Sequence, residues 1–444
     1  MNIYRLNEIF SNVAEEFNYK RIDSSDIILD LDKTPFFVFS PVQLVINQFD
    51  SHTPKISKYT IQECFRNIPL NEIINNPLAT TGQLLYSIFD FNHKKIDNPF
   101  LFLKSFLIDK LNLDNNKIYI MYDESNNEVS HTLKKYNLNG IPYDKSRLIC
   151  NMPIKYESNY IKINYFYRGG LIPIANLVFI DQKEYTTMLD SIIYPERLLF
   201  IVNNNKFVYQ EKFYEDTVNL INSIILDSKN TSSTSQNLQL NNPYISLKHN
   251  VDNNSFNLRL SCALVSHLRI ILYFYTLGIT SNSKKSGYIL RNMERQVFTY
   301  FLIEDLTINE NDIYMILDSI YLNGYFNYHT DISLKSISRK IYNEFIIYKN
   351  MVKKSLNKVD IRLKSKEVLD LEDIKYFHET LGVNSELLSK HLFKINFFND
   401  KNFKDLFQNN DDRQYPYNFE DKLNNIEDPF KWADERRHTK FYKS

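Results

Sequence analysis

Residues whose types and spacing could do chemistry gather in one stretch of the chain. Asp123, Glu124, Ser125 and Asn126 follow an apolar run, 117–122, and Arg168, Gly169 and Gly170 close another, 161–167. Carboxylates just past a strand can take a divalent cation or the hydroxyls of a ribose. An arginine beside two flexible glycines can hold a phosphate or a carboxylate, through its guanidinium fork and the backbone N–H groups. The same residues also make a helix-capping turn and an ordinary Gly-Gly turn. Both readings stay open in the sequence. It has no Walker P-loop and no Gly-x-Gly-x-x-Gly string.

A second string is Ile27-Ile28-Leu29-Asp30-Leu31-Asp32-Lys33-Thr34. A hydrophobic strand ending in Asp-x-Asp-x-Thr resembles the first motif of the haloacid dehalogenase-like phosphohydrolases. The resemblance covers these residues alone. It implies Asp30 as the nucleophile toward phosphorus and Asp32 as the acid/base, with Mg²⁺ as the cofactor that bridges carboxylate and phosphate. Without the resemblance, the string reads as an acidic turn between two strands, 27–31 and 36–39.

One charge cluster stands out. Lys349, Lys353, Lys354, Lys358, Arg362, Lys364 and Lys366 crowd into 349–366, and the first three share one sector of a helix. Phosphate contact is one meaning of such a cluster. A solvated helix face is the other, and Asp360, Glu367, Asp370, Glu372 and Asp373 dilute the patch. The 9 histidines have no metal-ligand spacing, and His378-Glu379 lacks the second histidine of a zinc-protease helix, because position 382 is Gly. No metal site is expected from protein ligands. His267, on an apolar helix beside Arg269, reads as a hydrogen-bonded core histidine. The 3 cysteines, Cys64, Cys150 and Cys262, are far apart and form no disulfide framework. That usage, with no signal-peptide block near Met1, places the expected compartment in the cytoplasm.

The elements that would position these groups follow from periodicity. Leu6, Ile9, Phe10, Val13 and Phe17 make one face of a leading helix. Ser40-Pro41 is a helix start, and the region to Leu113 reads as short helices. The run 117–122 is a strand, and Val129, Leu133 and Tyr136 recur at helical spacing. Asn139-Gly140 is read as the stop of that helix. With strands at 146–150 and 161–167 the stretch 117–170 becomes a central βαβ unit. A helix near 185–193, a strand at 198–202 and a helix from about 211 to 226 follow. Beyond the polar tract 228–237 the pattern turns helical.

The expected fold is therefore an α/β or α+β N-terminal region with a mixed sheet, residues 1–228. A polar linker, 229–243, leads to a mainly α-helical C-terminal domain, 244–400, and a polar tail, 401–444. The run 258–277 is long and apolar enough to raise a membrane span, but Arg259, His267 and Arg269 argue for a buried core helix instead.

With 53 basic and 53 acidic residues the chain has no overall field to attract nucleic acid or an anionic membrane. Its 43% hydrophobic and 24% charged residues describe a globular protein rather than a disordered one. Heavy use of Asn, Ile, Lys, Tyr and Phe beside 8 glycines suggests an AT-rich genome. Three function classes follow. The first is a binding or assembly protein with a protein partner or small ligand. The second is an enzyme acting on a nucleotide or phosphorylated ligand near 123 and 168. The third is a nucleic-acid-associated protein using 349–366.

Overall fold

The computed structural model describes residues 1–28, 37–45, 48, 56–76, 78–93, 97–143, 157–181, 187–231, 253–326, 328, 333–364 and 371–395. They form two compact units. One comprises Met1–Asn67 with Gly82–Glu211, and the other Ile68–Thr81 with the described residues from Lys212 onward.

The first unit opens with α1 (Ile3–Glu16), whose first free N–H groups are capped by the Asn2 side chain accepting from Arg5 N. Then come β1 (Lys20–Arg21), a short 3₁₀ turn at Pro41–Leu44 and β2 (Lys58–Phe65). The chain leaves the sheet for α2 (Leu70–Asn75), which belongs to the second unit, and returns as β3 (Gly82–His93). After α3 (Asp97–Lys104) and a π turn at Ser105–Lys110 it forms β4 (Ile118–Asp123), α4 (Asn127–Lys135) and β5 (Asn139–Tyr143). It closes with β6 (Glu157–Tyr167), β7 (Gly170–Asp181), β8 (Thr187–Ile193) and α5 (Pro195–Val202).

The eight strands make one mixed sheet in the order β1-β2-β3-β8-β7-β6-β4-β5. Only the outer pairs β1/β2 and β4/β5 are parallel. On one face, Phe10 of α1 stacks on Tyr86 with ring centroids 4.3 Å apart and meets Tyr59, Phe102 and Phe106 edge-on. Stacked and edge-on pairs suit the quadrupoles of the rings, and burying such a ring removes it from water altogether.

The βαβ unit is present, but its second strand is Asn139–Tyr143, paired in parallel with β4. The expected strand at 146–150 lies outside the described residues. Gly140 is therefore not the helix stop. The left-handed residue after α4 is Asn137, at φ 53°, a conformation that asparagine tolerates. Gly140 serves close packing, since a Cβ there would meet Leu133 Cδ1 at 2.9 Å and Tyr122 Cε1 at 3.0 Å.

Three further expectations are corrected. The region before Leu113 holds β2 and β3 as well as short helices. The segment 185–193, expected as a helix, contains β8, and 198–202, expected as a strand, lies in α5. Leu198, Leu199, Phe200 and Ile201 are all buried, and a run that is apolar on every side does not reveal its period. Pro195 in the first turn of α5 is the signal that favoured the helix.

The second unit gathers α2 with α6 (Lys212–Thr231), α7 (Asn253–Thr276), α8 (Lys285–Ile303) and α9 (Glu310–Asn323). It continues with α10 (Leu334–Leu363), α11 (Leu371–Glu379) and α12 (Ser385–Lys394). α9 starts with a capping box in which Asn309 and Asp312 exchange side-chain-to-backbone bonds. α7 is the core helix, with α2, α6, α8 and α9 packed on it. Its apolar window, Phe256–Thr276, is 94% buried, which accounts for the long apolar run without a membrane. Because α6 packs on α7 through residues such as Val218, Ile221 and Ile225, this unit begins before the polar tract 228–237.

Arg269 of α7 lies 4.6, 4.6 and 4.3 Å from the rings of Tyr214, Tyr325 and Phe326, and its Nη2 donates to Tyr325 Oη at 2.9 Å. Aromatic faces stabilise a buried cation where water cannot. His267 is the buried core histidine the sequence suggests. Its Nδ1 is 3.1 Å from Thr81 Oγ1, and burial pushes it down to about 3.

Phe10→Ala should cost about 3–5 kcal/mol, since it deletes a ring from a filled aromatic cluster. Urea denaturation of the full chain measures it. A loss below about 1 kcal/mol would mean that α1 does not close this face of the sheet.

Candidate functional site

The residues singled out at the strand ends do not converge. β4 and β6 pair antiparallel, with Ile118 opposite Tyr165 and Met121 opposite Lys162. Continuing that register sets Asp123 level with Tyr160, while Arg168 lies roughly eight residues away, about 25 Å along the strand. The two groups are at opposite ends of the sheet. Asp123 Oδ1 accepts from Ser125 N at 3.0 Å and Ser125 Oγ at 2.7 Å, Glu124 N donates to Tyr143 O, and Asn126 caps α4 by accepting from Val129 N. The acidic string thus forms the turn that enters a helix. At the other end Arg168 and Gly169 have φ 48° and 82°. They are the two central residues of a tight hairpin between β6 and β7, whose positive φ values match the twist of the strands. Gly170 opens β7 opposite Tyr167. Arg168 Nη2 donates to Asn204 O at 3.0 Å and Asn204 Oδ1 at 3.2 Å.

Asp30 and Asp32 lie outside the described residues. No group of three or more metal-binding side chains is present among the described residues.

A different constellation lies on the face of the sheet opposite α1. Strand register sets it out as a row: Thr60 opposite Ser87, Phe89 opposite Asp190, Asp190 opposite Val178, Asn176 opposite Ile192 and Lys162. Thr60, Ser87, Asn164, Asn176 and Asp190 are all buried. Asn164 Oδ1, Asn176 Oδ1 and Asp190 Oδ1 have no hydrogen-bond partner among the described residues. Each such oxygen costs about 1–3 kcal/mol unless something pairs with it, so three on one face call for an explanation.

Around Asp190 the apolar side chains Phe89, Phe91, Val178, Ile180 and Met188 pack together. Burial there raises its pKa to about 8, against a single lowering bond from Ser191 N. At neutral pH the group is mainly the protonated acid, able to donate as well as accept.

Tyr194 continues the alternation of β8 and packs with Val38, Cys64, Leu85 and Ile192. Its hydroxyl accepts from Asn176 Nδ2 at 2.9 Å. Arg197, in the first turn of α5, lies 4.1 Å from the Tyr194 ring and donates from Nη1 to Pro173 O at 2.9 Å. It makes no ion pair among the described residues. Burial works against its charge, and Arg66 adds repulsion, while Tyr194, Glu196 and Tyr160 act in the opposite sense. Arginine stays protonated nonetheless. The result is a fixed cation on an aromatic platform, beside a carboxamide oxygen with no partner. Sequence reading missed it because Arg197 falls between the expected helix at 185–193 and the expected strand at 198–202, in residues given no element. The available signal was Pro-x-Arg opening an apolar helix.

Asp190 gives a test through pH. Its folded pKa, about 8, lies above the unfolded value of about 3.9. The folded protein therefore binds the extra proton between these pH values, and stability falls as pH rises through them. Asp190→Asn removes that slope. The variant should gain on the wild type from pH 5 to pH 8, by up to about 1.4 kcal/mol per pH unit, read from urea melts. Parallel pH profiles would refute the assignment of a buried neutral acid.

No family model and no curated protein matches this sequence. Among solved structures, the chain is similar to apo histidyl-tRNA synthetase of S. aureus, with a TM-score of 0.33 and 12% identity over 45% of this chain and 64% of that one. It is also similar to PylSc, a pyrrolysyl tRNA synthetase of Desulfitobacterium hafniense, with a TM-score of 0.31 and 8% identity over 47% of this chain and 72% of that one. The chain thus spans just under two thirds of the first of these structures.

Proposed function

We propose that this is a binding protein whose ligand is a nucleotide or a related phosphorylated molecule, held on the polar face of the sheet. One observation carries the reading. The half-buried Arg197 guanidinium donates to Pro173 O, lies over the Tyr194 ring and has no carboxylate in ion-pair range among the described residues. A planar fork presented from a rigid platform suits a phosphate. On the same face of the sheet Asn176 Oδ1 and Asp190 Oδ1 are buried without hydrogen-bond partners among the described residues.

The test is thermal unfolding of the full chain with ATP, with pyrophosphate as a second probe. At 100-fold over the dissociation constant a ligand adds about 2.7 kcal/mol, a rise of roughly 5–10 °C for a unit of this size. Arg197→Gln should abolish the rise, and Arg197→Lys should keep only part of it. No rise in the wild type with either anion, or an undiminished rise in Arg197→Gln, would refute the proposal.

A second reading rests on α10 of the other unit. Lys335, Arg339, Lys340, Lys349, Lys353, Lys354 and Lys358 are exposed on it. Its two carboxylates, Glu344 and Asp360, are half-buried, and Asp360 lies 2.6 Å from His391 Nε2. Arg362 is drawn off the patch by Asp373 at 2.6 Å. Lys366 lies outside the described residues. An exposed face with cations and no exposed acid fits contact with a nucleic-acid backbone. Oligonucleotide affinity should then fall linearly in log–log form with salt. Reversing Lys353, Lys354 and Lys358 to Glu should cost at least about tenfold and flatten the slope by about 1 per lost phosphate contact. Absence of binding at low salt would end this reading.

A further inference from the structure

The basic face of α10 runs into a shallow groove that it shares with α8. The two helices pack antiparallel. As α8 is followed back from Phe301 through Phe298 to Arg295, its partners on α10 advance from Phe345 to Tyr348. Beside these contacts Arg291 and Arg295 of α8 line the groove with Glu344, Ile347 and Met351 of α10.

Each helix prolongs the lining with the same spacing. On α8, Tyr288 lies three residues before Arg291, and Lys284 stands at the N-cap. On α10, Ile347 and Met351 are followed by Lys354 and Lys358. Steps of three and four residues keep side chains on one face of a helix. Antiparallel packing then brings Lys354 and Lys358 alongside Arg291 and Tyr288. The strip from Ile347 to Lys358 is about 16 Å long.

The acidic groups are set back from this surface. Glu294 is 1% exposed, and its Oε1 accepts from Tyr275 Oη at 2.7 Å. Burial raises it to about 7, with Glu344 adding to it against Tyr275, Ser281 and Arg295. Glu344 is half-buried, whereas Lys284, Lys354 and Lys358 are exposed.

Cations alone would suit any polyanion. Apolar surface between them sets this groove apart. Tyr288 is 45% exposed and Ile347 62%. The Arg291 guanidinium lies 5.8 Å from the Tyr288 ring, so cation and ring form one edge of the groove. A duplex keeps the faces of its bases stacked inside and offers a protein its phosphates and groove edges. It gives an exposed tyrosine and isoleucine nothing to cover them. An unpaired strand has free base faces, which pack on aromatic and apolar side chains while its phosphates meet lysine and arginine.

We propose that the α8–α10 groove binds a single-stranded nucleic acid, with bases against Tyr288 and Ile347 and phosphates on Arg291, Arg295, Lys354 and Lys358. The inference rests on the second reading above, in which α10 contacts nucleic acid, and narrows its ligand to an unpaired strand.

The probe is one labelled mixed-sequence strand of about 12 nucleotides, within the range of single-strand sites. It is made as RNA and as DNA, each free and paired with its complement, and titrated by fluorescence anisotropy with the full chain. At least one free strand should bind about tenfold or more tighter than its own duplex at the same salt concentration. Tyr288→Ala should weaken single-strand binding at least about fivefold with the salt slope unchanged, and Tyr288→Phe should keep most of the affinity. Lys354→Gln should instead flatten the slope by about 0.7. Both positions are exposed, so thermal unfolding of these variants should match the wild type. Equal affinity for strand and duplex, or an unchanged single-strand affinity in Tyr288→Ala, overturns the inference and leaves the α10 reading standing. Displacement of the strand by polyglutamate at equal charge would mark a surface for polyanions in general and overturns it as well. Absence of binding by every form at low salt ends both.

Discussion

β8 has both edges hydrogen-bonded, to β3 and to β7, and both faces covered. A strand in that position has to suit two environments at alternate residues. Leu189 and Ile193 face the side closed by α1, while Asp190 and Ile192 face the polar row. Ser191 shows how tightly the strand is held. Its hydroxyl accepts from Ile88 N at 2.8 Å and donates to Ile88 O at 3.1 Å, taking the place of ladder bonds with the neighbouring strand. Because β8 runs straight into α5, the same strand also fixes Tyr194 and Arg197. The candidate site is therefore set by the register of the sheet more than by any loop.

The helical unit solves the opposite problem, since its central element is buried all round. α7 carries Arg269 into that interior, where three rings surround the guanidinium. Those rings come from α6 and from the segment that follows α9, so one side chain joins three parts of the chain. The cost of a buried charge is met by π faces and a tyrosine hydroxyl.

How much of this was legible in the sequence depended on whether an element faces water on one side. α1, α4 and α6 do, and their apolar residues recur at 3.6-residue spacing, so they could be located. β2, β3 and β8 are buried on both faces, and α5 is apolar over four consecutive positions. These carry no alternation to read. β4 could be placed because Asp123-Glu124-Ser125 ends it abruptly, but that same turn drew attention to residues now seen capping α4. The polar row was not legible, because Thr60, Ser87, Asn176 and Asp190 come from four strands far apart in sequence. Only pairing register assembles them.

The excursion of residues 68–81 has a consequence for how the chain can be divided. α2 lies between β2 and β3 in sequence but packs on α7, and Thr81 N donates to Ser266 Oγ across 185 positions. A fragment starting at Lys212 would lack that helix and expose apolar surface of α7 to water. A fragment ending at Glu211 would carry α2 without its support. Neither half is complete as a continuous piece of polypeptide. Closing such a long loop is entropically slow, so the helical unit can finish folding only after most of the chain has been synthesised, however early the sheet strands pair.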